Sequence, residues 1–460
     1  MYLLTRFFFV SDLLFVPICL ILLFAIIRFK AKKQPDHICR LYYKAFFYKT
    51  FFVFAFTLIT EYYFKGGDTG LYYQGVTDLR NSVKDNFGHI SDILFSLKLT
   101  SNSPLFPYFF YDNYVDDITA NYMISPSNFF IPRLALIPSF LFNNSFLCIN
   151  LCFSFFALGG AIRLFKTFNH FFPDYWKEIA LATLFLPDVC YWSGGLLKDP
   201  ICFGAIGFIT YGILNIFIKK EKVFSSILLI LICCYLLFFI KIYILLVLMI
   251  SIILWQFAEF NKLIKDVAYR RLFSFLSFAG SLLVAFLLVT YLTSSEGGQA
   301  YRIDRIMEQS SNQRRQFGLL AEQQGGSYFA VNNDNVFTLV FNGIIATFFR
   351  PFPWEISSPI MLFSAIEALI LLILTGFFVL KRGFLNFFRF SFKDPRTLMC
   401  FSFAMIFAVA VGSTTSNFGA MSRYKIPCMP FYLLLLLLLY RNSRLAYPGW
   451  FQRILILVSK

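Results

Sequence analysis

The sequence predicts an all-α fold: a polytopic integral membrane helical bundle of about 11 spans, within a range of roughly 10–13, with extracytoplasmic loops and short re-entrant or interfacial helices. Three observations predict it. Hydrophobic residues make up 58% of the 460 positions and charged residues only 14%, where soluble domains carry nearer a quarter charged. Apolar runs of about the roughly 20 residues that cross a bilayer recur along most of the chain. Short Lys/Arg-rich segments separate them.

The spans are expected near 11–28, 44–63, 145–163, 177–193, 201–218, 224–240, 243–258, 272–292, 358–380, 398–414 and 427–440. Two shorter apolar stretches, 128–142 and 335–349, carry Pro or Asn and suit re-entrant or interfacial helices, which a bilayer tolerates where they line a cavity. The first apolar run is as long as a span and lacks a small-residue cleavage site, so it reads as a retained helix rather than a signal peptide. The chain is expected to be one membrane domain, 1–460, with long extracytoplasmic loops at 64–127 and 293–357.

Orientation follows from charge. "RFKAKKQPDHICRLYYK", "IKKEK", "NKLIKDVAYRR" and "LKRGFLNFFRFSFKDPR" fall on one side of the alternating assignment. The positive-inside rule makes that side the cytoplasm. The same rule accounts for the net charge of +16 without a nucleic-acid partner. No phosphate-loop or dinucleotide fingerprint is present. Ten cysteines without a CxxC pair, and three scattered histidines, argue against a zinc site or a disulfide framework.

Four segments on the opposite side carry unexpected polar groups. In "KGGDTGLYYQGVTDLR", Gly66-Gly67 permits a sharp turn, and Asp68 is either a helix cap or a general base. Tyr72 and Tyr73 belong to an interfacial aromatic belt or to a wall that stacks on a sugar. In "VCYWSGGLLKDPICF", Lys198 and Asp199 stand at a hairpin tip; the Lys either snorkels beside a local partner or meets a phosphate. In "NGIIATFFRPFPWEISSP", Arg350 and Glu355 are membrane anchors or contacts to a phosphate and a sugar hydroxyl. In "STTSNFGAMSRYKIPCMPF", Arg423 and Lys425 break the positive-inside tendency, which an anionic ligand would explain. Arginines 302, 305, 314 and 315 add a cationic, helically spaced face that suits a solvated helix or a lid.

Cations at the membrane surface with a glycine-flanked carboxylate suit a lipid-borne phosphate or diphosphate attached to a hydroxylated group. A departing phosphate needs fixed positive charge and an acceptor hydroxyl needs a base. Asp68, Asp78, Asp92 and the Asp116-Asp117 pair offer oxygen ligands, but their spacing selects no metal; a divalent cation stays open as a cofactor.

"GGDTGLYY" resembles the pattern of the GT-C superfamily of membrane glycosyltransferases, in which an Asp in an early extracytoplasmic loop is followed closely by Tyr. The resemblance implies a lipid-phosphate sugar donor and makes Asp68 the acidic residue. The pattern departs from the family in one respect: Asp68 follows the second expected span, where GT-C enzymes place the acidic loop after the first. "SGGLLKDP", "TFFRPFPWE" and "NFGAMSRYKIPCMPF" look like elements of bacterial surface-polysaccharide membrane proteins, including O-antigen-polymerase-like proteins. That second resemblance implies arginines and lysines that hold lipid diphosphates without a dedicated base, and shifts the weight to Lys198, Arg350 and Arg423.

The expected function is therefore glycosyl transfer from a polyprenyl-phosphate or -diphosphate sugar to a hydroxyl acceptor, at the extracytoplasmic face of a bacterial inner membrane. The expected partners are that polyprenyl-linked sugar or oligosaccharide, membrane lipid and polysaccharide-assembly proteins, with no nucleic acid. Asp68 would be the base. Tyr72, Tyr73, Lys198, Asp199, Arg350, Glu355, Arg423 and Lys425 would bind substrate. A transporter or flippase of lipid-linked oligosaccharide is the alternative of another class, disfavoured by the few ionisable residues inside the spans, Glu367 and Lys241. A non-catalytic membrane scaffold is the third.

Overall fold

The computed structural model describes residues 7–111, 118–266, 328–329 and 336–459, with isolated positions between 268 and 319. Its helices in chain order are α1 Asp12–Ala31, α2 Asp36–Ile59, α3 Gly67–Asp85, α4 His89–Phe95, α5 Phe106–Phe110, α6 Ile118–Met123, α7 Pro126–Leu141, α8 Phe146–Phe171, α9 Trp176–Leu184, α10 Pro187–Trp192, α11 Lys198–Ile213 and α12 Val223–Asn261. After a segment mostly outside the described residues come α13 Val336–Phe349, α14 Pro359–Arg382, α15 Phe384–Lys393, α16 Pro395–Thr414, α17 Phe418–Tyr424, α18 Met429–Asn442 and α19 Gly449–Ser459. Among the described residues there is no named strand, only an isolated bridge between Tyr328 and Asn417.

Six of these helices are long and apolar enough to cross a membrane, or seven if the bent pair α17–α18 is one span. Among the described residues the expected count near 11 is thus not reached by length and composition, and the segments differ in why. Span 177–193 is two short helices, α9 and α10, broken ahead of Pro187, where the residue before a proline leaves the helical region. Span 44–63 is α2, which carries Lys44 and Lys49 among its apolar residues and ends in a π-helical turn, Thr60–Phe64. Span 272–292 lies almost wholly outside the described residues. Spans 224–240 and 243–258 form one element, α12, interrupted at Lys241 by extended φ/ψ of −151° and 81°.

That interruption folds α12 back on itself. Asn150 near the start of α8 accepts from Leu196 N–H at 2.7 Å beside the start of α11, so α8 and α11 run parallel. Ser226 in α12 meets Asn215 beyond the far end of α11, and Lys241 meets Asp199 at its near end. Trp255 packs against Phe171 at the far end of α8, with ring centroids 6.0 Å apart. Two membrane-length arms therefore rise to Lys241 and descend from it.

The α8–α11 contact depends on glycine. A Cβ on Gly160 would stand 2.3 Å from Gly204 O, and one on Gly207 would stand 2.1 Å from Gly160 O. Small residues let two helix backbones approach to this distance, which is how apolar helices gain packing energy where burial from water supplies none.

The bundle has two unlike ends. Lys166 lies within electrostatic range of Arg163, Lys219, Lys30 and Lys222 at the far end of α8 and α11. The near end carries Asp199, Lys241 and a cap made by α3–α7. The region 64–127, expected as a loop, is thus largely helical in its described part, and Val76 and Leu79 of α3 with Ile131 and Ala135 of α7 are buried in the core. Most of 293–335, including the arginines 302, 305 and 314, lies outside the described residues.

Candidate functional site

Four helix ends converge at the capped end of the bundle. The first is the start of α3. After the π-turn the chain passes through three residues of positive φ, Lys65, Gly66 and Gly67, at 50°, 110° and 53°. A Cβ is poorly tolerated in such consecutive positions, which is why two glycines stand there. Asp68 follows in the first turn of α3, where the helix dipole favours a carboxylate. It does not cap: the N-cap is Gly66, with no side-chain cap hydrogen bond. The second end is the start of α11, with Asp199 in its first turn and fully buried. The third is Lys241 at the apex of α12. The fourth is the last turn of α17, where a cation is favoured and Arg423 stands. Beyond it the chain bends by 66° into α18, across a turn containing Pro427.

These ends are tied by charge. Arg423 donates from Nε to Asp199 Oδ2 and from NH1 to Asp68 Oδ2, both at 2.7 Å. Lys241 Nζ donates to the other Asp199 oxygen at 2.6 Å and lies 4.8 Å from the Tyr424 ring centroid. Lys198 donates to Ser127 Oγ of α7 at 2.8 Å, and its charge acts on Asp68. Asp199 is thus consumed in holding two cations. Asp68, with 44% of its side chain exposed, is the member open to a ligand.

Burial works to raise the Asp68 pKa, but the Arg423 guanidinium beside it, the hydrogen bond that Arg423 donates and the charge of Lys198 outweigh it, so the carboxyl titrates below its ordinary 3.8. The ion pair is complete at neutral pH, and its stabilising effect is lost only as pH falls through and below the ordinary carboxylate range. The melting-temperature difference between wild type and Asp68→Asn should stay constant from about pH 7 to about pH 5 and shrink below about pH 4, as read by a pH series of thermal unfolding. A difference already fading between about pH 7 and pH 6 would contradict the assignment.

Asp68 and Arg423 line a cavity of about 850 Å³, within the size range of small-molecule sites. One wall is aromatic, formed by Phe56, Tyr63, Phe64 and Trp192; the other is polar, with Ser357, Ser358, Asn417 and Ser422. Tyr72 and Tyr73 do not form the stacking wall expected of them. They are 1% and 4% exposed. Tyr72 OH donates to Asn128 Oδ1 and receives from Tyr122 OH, each at 3.2 Å, while Tyr73 OH donates to Asn144 O at 2.8 Å. Burial raises both phenol pKa values. Their role is to pin α3 to α7 and the α7–α8 turn, which fixes Asp68 from behind.

Arg350, Glu355 and Lys425 are not drawn into this ion-pair network. Arg350 Nε donates to both Glu355 oxygens, at 3.0 and 3.1 Å, and the guanidinium stacks 4.3 Å from the Phe329 ring centroid and 5.2 Å from that of Phe418. Glu355 also accepts from Phe352 N–H at 2.8 Å. The pair closes a turn, and each charge has its partner. Lys425 is fully buried, with Nζ 3.4 Å from Arg350 O, and its charge faces Asp188 and Glu367.

Sequence reasoning missed Lys241 as a member of the site and Tyr63 and Phe64 as its exposed aromatic lining. The signal for Lys241 was one cation between two apolar runs. Among the described residues no group of three or more His, Cys, Asp or Glu could hold a metal ion; Asp68 and Asp199 are both engaged by Arg423 instead. Comparison with protein-family models, with curated proteins and with solved structures finds no match in any of the three. Fold and site alone define this chain as an all-helical protein with several helices long and apolar enough to cross a membrane and a charged cavity at one end of the bundle.

Proposed function

We propose that the protein transfers a glycosyl group from a polyprenyl-phosphate or -diphosphate donor to a hydroxyl acceptor in the Asp68–Arg423 cavity, on the extracytoplasmic side of a bacterial inner membrane. The observation that carries the reading is the double engagement of Arg423. Its Nε is held by Asp199, while NH1 is shared with the exposed Asp68. An arriving phosphate competes with Asp68 for NH1, because charge-assisted and bidentate contacts to phosphate are what a guanidinium supports best. Asp68 is then released from its partner and becomes more basic while the donor is bound.

The acceptor oxygen attacks the anomeric carbon, and its proton passes to Asp68. The bond from that carbon to the phosphate oxygen breaks, the electron pair stays on phosphate, and Arg423 with Lys198 stabilises the developing charge. The anomeric configuration inverts. The basic cluster at the other end of the bundle supports this side of the membrane, because the positive-inside rule favours such a cluster in the cytoplasm. Tyr63 and Phe64, the exposed aromatic residues of the lining, supply the faces on which a sugar packs.

Product formation by purified, reconstituted protein with a lipid-linked oligosaccharide should fall about 100-fold or more in Asp68→Asn, while binding of polyprenyl phosphate is retained. Unchanged turnover would remove Asp68 from the chemistry and return the site to a polymerase that uses cations alone. One observation favours a second reading, transport of the same lipid-linked glycan: Lys49, Asp188, Glu367 and Lys425 are all buried within the bundle. This is more intramembrane charge than the sequence suggested, and such groups mark ion or substrate paths. Passage of the glycan across a vesicle membrane without bond cleavage would establish it.

A further inference from the structure

At the end of the bundle opposite the Asp68 cavity, cations from four elements meet without a carboxylate. Lys30 stands in the last turn of α1, Arg163 and Lys166 on α8, Lys219 at the end of the π-helical turn that follows α11, and Lys222 just ahead of α12. Lys166 lies within electrostatic range of the other four, and Lys30 within range of Arg163. Among the described residues none of them forms an ion pair, and Glu221, in the same turn as Lys219 and Lys222, is exposed and pairs with none of them.

Lys30, Lys219 and Lys222 stand at chain turns, where the positive-inside tendency accounts for them. Arg163 stands deeper, about 12 Å along α8 before its end at Phe171. Its guanidinium lies 4.2 Å from the Phe208 ring centroid and NH1 donates to Gly159 O at 3.1 Å, which leaves its other N–H groups without an acceptor among the described residues. Beside it, Tyr42 of α2 is fully buried with an unpartnered hydroxyl. Lys166 Nζ is 5.8 Å from the Tyr42 ring centroid, and Arg163 lies within electrostatic range of the phenol. A buried donor without an acceptor is costly. Guanidinium, ammonium and phenol thus gather here, and no carboxylate answers them.

We propose that this cluster binds the phosphate of an anionic phospholipid. A phosphate supplies several acceptor oxygens and the missing negative charge, and a guanidinium beside an ammonium suits it. A headgroup with its own cation would add to charge that is already uncompensated. The lipid form is favoured over the free ion by the bordering surface: Leu22 and Ile26, two turns and one turn before Lys30 on the same face of α1, are exposed apolar residues that meet acyl chains. Basic pockets between membrane helices hold lipid headgroups by this chemistry. The proposal does not depend on the reaction assigned to Asp68 and Arg423.

The test is equilibrium binding of single lipids to the full chain, purified in a neutral detergent and read by native mass spectrometry. Dioleoylphosphatidylglycerol should bind about tenfold or more tightly than dioleoylphosphatidylcholine, and a large excess of inorganic phosphate should not displace it. Arg163→Gln and Lys166→Gln should each weaken phosphatidylglycerol about fivefold. Lys381→Gln, which removes an exposed cation at the same end of the bundle but outside the cluster, should change nothing. Tyr42→Phe deletes only the unpartnered hydroxyl. It should not lower the melting temperature of the lipid-free protein, yet it should reduce the rise that phosphatidylglycerol produces. Equal affinity for the two lipids, or equal losses in Lys381→Gln and Lys166→Gln, would reduce the cluster to diffuse surface charge and overturn the proposal. Displacement by inorganic phosphate would overturn it in favour of a free anion.

Discussion

Arg423→Ala is expected to abolish turnover and to lower stability together. Among the described residues Arg423 is what joins Asp68 to Asp199. Without it Asp199, whose side chain is wholly buried, keeps Lys241 alone. Lys241 still neutralises Asp199, so what is lost is the partner of one buried carboxylate oxygen, at a cost of about 1–3 kcal/mol. In the proposed chemistry the same change removes the cation that stabilises the leaving phosphate, a loss of about 100- to 1,000-fold or more in rate. Arg423→Lys separates the two effects. A point charge can keep Asp199 neutralised but cannot bridge two carboxylates in a fork. Stability should largely recover, measured by thermal unfolding in detergent, while turnover stays low. Full activity in Arg423→Lys would show that bridging is not needed.

The second large effect lies far from the charges. Gly207→Leu is expected to prevent assembly of the bundle. Even a Cβ at this position would fall 2.1 Å from Gly160 O, so α8 and α11 would have to part. α11 carries Lys198 and Asp199 at its start, and α12 packs against it, so the cavity would be lost with the core. Folded, monodisperse protein after detergent extraction should fall several-fold, as read by fluorescence-detected size exclusion. Gly160→Leu should behave like Gly207→Leu, because the two backbones meet at the same crossing. A normal elution profile for both would contradict the packing.

Much of this was legible in residues, and the reasons differ by element. The membrane class follows from apolar runs, which leave few other folds for a chain that must satisfy its backbone internally. Asp68 was legible because it follows two glycines at a helix start, and Asp199 because a Lys-Asp pair at a hairpin tip between apolar runs is costly. Arg423 stood out as a cation on the wrong side of the charge rule. What stayed hidden was pairing. Arg350 and Glu355 look like ligand contacts until each is seen to satisfy the other. Tyr72 and Tyr73 look like an open wall until α7 covers them. Burial of that kind is set by long-range contacts, and a single sequence does not state which helix lies opposite. Lys241 stays hidden for the same reason: it reads as one ionisable residue in an apolar stretch until its carboxylate, Asp199, arrives from elsewhere in the chain. Glu367, read as one of the few ionisable residues inside the spans, is buried within α14.

The most direct test of lipid-linked glycosyl transfer is donor choice by the purified wild-type protein. Reconstituted protein is supplied with a hydroxyl acceptor and either a polyprenyl-diphosphate oligosaccharide or a nucleotide sugar, and glycosylated product is measured. Product is expected from the lipid-linked donor alone, with inverted anomeric configuration and free polyprenyl diphosphate released in equal amount. Product from the nucleotide sugar, or intact lipid-linked donor after exhaustive incubation with several lipid carriers, would contradict it.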